Sequence, residues 1–167
     1  ILYIDDKLYV EKDNDFVRKY TDGKFVSYTV CPFSTLKIDN VNKILAIDYN
    51  DVDRVTGWVK ELHKSFPELY VVKSTPYFCE IGSPLARKST GVEFLAKQWG
   101  IKKEEILTIG DQDNDIELLK AGGTAVAMGN ATEELKKYAD YITDSVENDG
   151  FAHAMEKFVF SEVERLS

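Results

Sequence analysis

Cysteine, histidine, methionine and proline are all scarce: among 167 residues there are two Cys, two His, two Met and four Pro. Cys31 and Cys79 are widely separated and match no metal-ligand spacing, which argues against a disulfide scaffold and a zinc cluster. They suit the role of small, reduced, buried hydrophobes. His63 and His153 stand in no pattern that suggests a ligand or a catalytic base. No apolar run is long enough to cross a membrane as a helix, and no secretory leader pattern opens the sequence. Asn130-Ala131-Thr132 fits a glycosylation sequon, but nothing else suggests secretion, so a cytoplasmic location is expected. Basic residues are in the minority, 21 against 29 acidic, for a net charge of -8. That balance disfavours nucleic acid and anionic membranes as partners. An anionic substrate would then need individually placed cations, so single Lys and Arg residues carry information.

With 44% hydrophobic and 30% charged residues, the composition is that of an ordinary globular protein able to build a core. The informative stretch is Leu107-Thr-Ile-Gly-Asp-Gln-Asp-Asn-Asp-Ile-Glu-Leu-Leu119. An apolar run ends in Gly-Asp, carboxylates follow, and apolar residues return at helical spacing: a strand, a turn and a helix. Ligands of open α/β sheets gather at the carboxyl ends of strands, where this turn lies. Asp111 and Asp115, with Asn114 beside them, are the oxygen donors a hard cation such as Mg2+ takes. Other sources of such acids are helix N-terminal capping and a merely solvated charge cluster. The alternation Asp111, Asp113, Asp115 is not an EF-hand, because the sixth position is Ile116 and the twelfth Gly122.

Up to residue 82, short strands interleave with two helices, which predicts an α+β domain. Strands are expected on either side of an Asp5-Asp6 turn, at 42–49, 69–74 and 77–81, with helices at 13–20 and from Asp51 or Asp53 to Phe66. From residue 83 the pattern alternates helix and strand, which predicts a parallel α/β sheet. Thr90-Gly-Val-Glu93 has the spacing of a capping box and predicts a helix from Thr90 to Trp99, stopped by Gly100. Strands follow at 106–109, 124–128 and 141–142, and helices at 115–120, 132–138 and 150–160. Lys88 then precedes a helix start, where a cation opposes the dipole at a cost of about 0.3–1 kcal/mol unless an anion shares the site. An exposed loop lysine is the plainer alternative, and Arg87 is adjacent.

Four segments in order, Lys88-Ser-Thr-Gly-Val-Glu-Phe-Leu-Ala-Lys-Gln-Trp-Gly-Ile101, Ile109-Gly-Asp-Gln-Asp-Asn-Asp-Ile116, Ala125-Val-Ala-Met-Gly-Asn-Ala131 and Glu147-Asn-Asp-Gly150, resemble the C-terminal half of a haloacid-dehalogenase-superfamily hydrolase. The branch they are most similar to is the Cof-type one with an α+β (C2) cap, and within it the sugar-phosphate phosphatases. The resemblance implies an α/β fold: a Rossmannoid parallel sheet, incomplete here, in residues 83–167, and part of the cap in residues 1–82. It implies Asp111 as a Mg2+ ligand, Asp115 as a catalytic residue supporting that metal directly or through water, Asn114 on the phosphoryl group, and Lys88 stabilising phosphate charge and positioning the nucleophile. Ser89 departs from the Gly usual in relatives, and Asp113 stands where Glu is common. The implied partner is a small phosphorylated metabolite.

The family's first motif, Asp-x-Asp-Gly-Thr, does not occur in the sequence, and its second, a Ser or Thr, is not identifiable. Asp5-Asp6 is no substitute, since no Gly-Thr follows. The first residue is Ile1 rather than Met, so these residues are expected to belong to a longer polypeptide whose N-terminal segment carries the nucleophile and a sheet strand. On that expectation this chain alone is inactive, with a cap that closes over the site in the complete protein. A non-catalytic module that binds phosphometabolites or a protein partner is the rival from another class, and a phosphomutase a third option.

Overall fold

The structure is a computed structural model that describes residues 1–161. It divides into two compact units, Ile1–Ala86 and Arg87–Ser167.

In the first unit the strands are β1 (Leu2–Ile4), β2 (Lys7–Val10), β3 (Tyr28–Val30), β4 (Val41–Ile47), β5 (Tyr70–Thr75) and β6 (Phe78–Gly82). They form one sheet in the order β3-β2-β1-β4-β6-β5, antiparallel except for the β2–β3 pair. The β1–β2 hairpin turns on Asp5 and Asp6, both left-handed with φ of 49° and 60°. Two left-handed residues twist a two-residue turn in the sense the strands require, and Asp tolerates that conformation better than most side chains. Helix α1 (Asp15–Thr21) starts at Asn14, whose side chain accepts the Val17 N–H at 3.0 Å.

Helix α2 (Val52–Ser65) is opened by Asp51, which accepts the Arg54 N–H at 2.9 Å. Its apolar stripe, Val55, Trp58, Val59 and Leu62, packs on Val71, Cys79, Ala46 and Ile81 of the sheet. Spacing at three and four residues puts that stripe on one face, which is why this helix was readable from pattern. Just before it the buried Asp48 accepts from Asn50 N, Asp51 N and the Arg54 guanidinium, at 2.9, 3.1 and 2.8 Å.

In the second unit β7 (Leu107–Gly110), β8 (Thr124–Ala127) and β9 (Tyr141–Ile142) form a parallel sheet in the order β7-β8-β9. The helices are α3 (Lys88–Trp99), α4 (Ile116–Ala121), α5 (Glu133–Lys136) and α6 (Gly150–Met155), the last continued by π-helical turns over Glu156–Phe160. Leu119, Ala125, Ala127, Met128, Ala131 and Leu135 make the core, with Ile109 and Ile116 against it.

Helix α3 corrects one expectation. It begins at Lys88, two residues before Thr90; Arg87 occupies the cap position, and no side chain caps the helix. The Thr-x-x-Glu spacing is a capping box only where the backbone before it is not helical, and here Lys88 and Ser89 already belong to the helix. Its end matches the sequence: Gly100 is left-handed at φ 71°. The helix expected at 132–138 is also shorter, because α5 ends at Lys136. Among the described residues no helix is long and apolar enough to cross a membrane.

Two measurements follow from these surroundings. Cys79 is fully buried and its thiol is pushed up to about 11, by burial first and by Glu80 second, whereas Cys31 is partly exposed. Thiolate is the reactive form, so Cys31 should label rapidly in the native protein and Cys79 only on unfolding. Rapid labelling of both in native buffer, with a Cys31→Ser variant as control, would contradict this packing. His153 Nδ1 lies 2.8 Å from Asp144 Oδ2, and that bond raises the imidazole above its ordinary 6.5. A raised folded-state value stabilises below the unfolded value, and the contribution disappears as pH rises through the folded one. The stability difference between wild type and Asp144→Asn should therefore be largest below the ordinary imidazole value and shrink as pH rises above it, read from urea midpoints. A difference that grows with pH would contradict the pairing.

Candidate functional site

β7 is short, half-buried and ends at Gly110, after which the chain turns through Asp111 and Gln112 into a single 3-10 turn, Asp113–Asp115, and then α4. The turn is held from inside by Asp115, which is 3% exposed. Its Oδ2 accepts the backbone N–H groups of Asp111 and Gln112 at 3.2 and 3.4 Å. Its Oδ1 accepts Lys88 Nζ at 2.5 Å. A buried carboxylate is tolerated where it is paired and hydrogen-bonded, and Asp115 has both kinds of partner.

Gly110 is part of the same construction. A Cβ at that position would meet Asp115 Cβ at 2.6 Å and Leu119 Cδ1 at 3.0 Å. Only a residue without a side chain lets Asp115 fold back beneath the strand end. The Gly-Asp pair reads as a turn signal in the sequence; its reason is this close approach.

Lys88, the first residue of α3, brings the cation. Its side chain is 55% exposed, so the ammonium pairs with Asp115 at one side and faces solvent at the other. An ammonium has three donors, and the Asp115 bond uses one. Lys88 and Asp115, 27 residues apart in sequence, are thereby brought into direct contact.

Asp111 and Asn114 are placed differently. Asp111 is bound through its backbone: its N–H goes to Asp115 and its C=O accepts Thr132 N at 3.0 Å. Among the described residues its carboxylate enters no hydrogen bond or ion pair. Asn114 Oδ1 is buried with no hydrogen-bond partner. A buried acceptor without a donor costs about 1–3 kcal/mol, so this oxygen is one the turn itself leaves unsatisfied. The turn therefore carries two uncommitted oxygen acceptors, on Asp111 and Asn114.

Those two oxygens fit a hard cation in part. Mg2+ takes oxygen ligands and commonly keeps water and substrate phosphate oxygens around one or two carboxylates. No three His, Cys, Asp or Glu side chains converge on a common point among the described residues. These residues would thus hold one side of such an ion, Asp111 most directly, while both oxygens of Asp115 are already engaged.

Sequence reasoning passed over one contributor, Thr132. The Thr132 hydroxyl donates to Asp113 Oδ1 at 2.6 Å and accepts the Leu135 N–H at 3.1 Å, capping α5. Its visible signal was a Thr before Glu-Glu, a helix-start pattern that says nothing of a contact 19 residues away. Asp113 itself is exposed.

The sequence model of haloacid dehalogenase-like hydrolases matches residues 1–155. Among relatives, a phosphoglycolate phosphatase of Saccharolobus solfataricus is 39% identical over 114 residues, 68% of this chain and 47% of that protein. A 5-amino-6-(5-phospho-D-ribitylamino)uracil phosphatase of Bacillus subtilis is 35% identical over 67% of this chain and 45% of its own length. A crystal structure from Thermotoga maritima superposes with a TM-score of 0.70 at 32% identity, covering 94% of this chain and 59% of that one. The structure of a sugar phosphatase of HAD subclass IIB gives 0.78 at 25% identity, over 94% of this chain and 59% of that one. The chain spans about half the length of the curated relatives it matches.

Because Asp115 fills the space a side chain at 110 would need, Gly110→Ala should destabilise the protein by about 1–3 kcal/mol, the scale of overpacking. Urea unfolding measures it. An unchanged midpoint would mean that Asp115 is not seated under the strand as described.

Proposed function

The chain belongs to the haloacid dehalogenase-like hydrolases, and from that premise we propose that the complete protein is a Mg2+-dependent phosphatase of small phosphorylated metabolites, sugar phosphates foremost. The observation that carries this reading is the carboxylate-anchored turn, which pairs Lys88 with Asp115 and leaves oxygens of Asp111 and Asn114 uncommitted. The named activities of the phosphatase relatives support the reaction class.

In this reading each residue has a separate task. Lys88 offers its remaining N–H donors to phosphoryl oxygens, where charge accumulates during transfer. Asp115 is the support: it sets the direction of Lys88 and fixes the backbone of Asp111. Asp111 would contribute a carboxylate to Mg2+, and Asn114 would meet the phosphoryl group through its amide N–H donors. When bound, the metal supplies charge neutralisation at the phosphoryl oxygens. The first unit is the cap that selects the ester.

The nucleophile lies in a segment of the complete protein outside these residues. Its Asp carboxylate attacks phosphorus, the alcohol leaves with a proton, and water cleaves the resulting aspartyl-phosphate to release inorganic phosphate. These 167 residues on their own are then expected to bind ligand but not to turn it over. A non-catalytic phosphometabolite- or partner-binding module is the rival.

The test is phosphate release from a broad ester panel by the complete protein, with and without Mg2+. Release should require the metal, and Asp111→Ala should lower kcat/KM at least about 100-fold, the scale on which loss of one charge-stabilising group acts. Phosphate and Mg2+ binding without turnover by the complete protein would establish the module instead. Dependence on a sugar bisphosphate would point to a phosphomutase.

A further inference from the structure

The acidic turn is anchored twice, and only one anchor belongs to the Lys88–Asp115 pair. From the β7 side, Asp115 gathers the N–H groups of Asp111 and Gln112. From the α5 side, Thr132 gives its N–H to Asp111 O at 3.0 Å and its hydroxyl proton to Asp113 Oδ1 at 2.6 Å. The same hydroxyl accepts Leu135 N–H at 3.1 Å, so one oxygen caps a helix and ties that helix to the turn. Asp111 stands between the two anchors with its carboxylate uncommitted among the described residues.

Fixing the backbone on both sides of a ligand limits where its carboxylate can point. Mg2+ demands near-ideal geometry at short distances, so the freedom of a ligand translates directly into affinity. Partners that orient metal ligands without touching the metal change affinity about 10–100-fold when removed.

We propose that Thr132 and Asp113 are positioning residues for cation binding at Asp111, acting through the hydrogen bond between them. The proposal rests on Asp111 being a metal ligand, as in the phosphatase reading. It adds that the segment after β8 sets the cation affinity of the turn after β7. Neither residue touches metal or substrate. Their effect lies in cation affinity, not in the rate of the metal-saturated enzyme.

The experiment is titration of the complete protein with Mn2+, free ion being followed by electron paramagnetic resonance, alongside the Mg2+ dependence of activity. Asp113→Ala keeps the α5 cap, whereas Thr132→Val loses both cap and tie. Each should weaken Mn2+ binding about tenfold, the lower end of the range for orienting partners. The double variant should be no weaker than the singles, since both remove one bond. Thr132→Ser, which keeps the hydroxyl, and Asp113→Asn, which keeps an acceptor without the charge, should stay near wild type. The Mg2+ concentration for half-activity should rise in the weakened variants, while kcat at saturating Mg2+ stays within about twofold, as expected for an orienting partner.

Losses that add in the double variant would overturn the shared bond. Asp113→Asn falling as far as Asp113→Ala would overturn it too, since the effect would then be one of charge. Equal Mn2+ binding by every variant would overturn this proposal alone. Failure of the unaltered protein to bind Mn2+ would overturn the metal reading of Asp111, and this proposal with it.

Discussion

A carboxylate buried beneath the end of a strand must find its hydrogen bonds within the protein, and Asp115 finds three, two from backbone N–H groups and one from Lys88. Each constrains a different part of the second unit. The backbone bonds give the turn after β7 its shape, and the lysine bond ties the start of α3 to that turn. The space for the carboxylate exists because position 110 has no side chain. Without this one group, Lys88 would be a surface cation and Asp111 a residue on a loop of undetermined shape. The acidic turn is therefore an ordered device rather than a collection of charges.

The local elements were largely legible, and for identifiable reasons. The α2 stripe of Val55, Trp58, Val59 and Leu62 is a helical period with an Asp cap before it, and the structure keeps both. Asp5-Asp6 was readable as a hairpin turn because two strand-like runs flank it. Lys88, Asp111, Asn114 and Asp115 were legible as candidates from residue type and spacing, which is local information. What stayed hidden is non-local. The order β3-β2-β1-β4-β6-β5 arises from pairings between distant segments, including a parallel partner for β2. The division of labour within the turn was also hidden, since spacing does not tell which carboxylate is engaged and which is uncommitted. The start of α3 was misjudged for the converse reason: a local motif was present, but the helix had already begun.

Family membership and structural likeness agree on a hydrolase of phosphate esters among the relatives, while the chain covers about half of their length. The described residues contain a cationic N–H donor, a supporting carboxylate and two uncommitted oxygens, all on elements of a single unit.

The helix that carries Lys88 has a further consequence. Along α3, Ser89 is the one buried residue of its twelve, while Phe94 and Trp99 are 66% and 65% exposed. The carboxylate partner, in contrast, is seated beside a core of fully buried side chains such as Leu119 and Leu135. Elements with little buried surface open at lower free energy than the core to which they attach. In these residues taken by themselves, fluctuations of α3 would thus separate the ammonium from the carboxylate while the sheet and its turn stay folded. The ion pair would break and re-form as a local equilibrium, making the electrostatics of the turn a matter of helix docking as well as of residue identity.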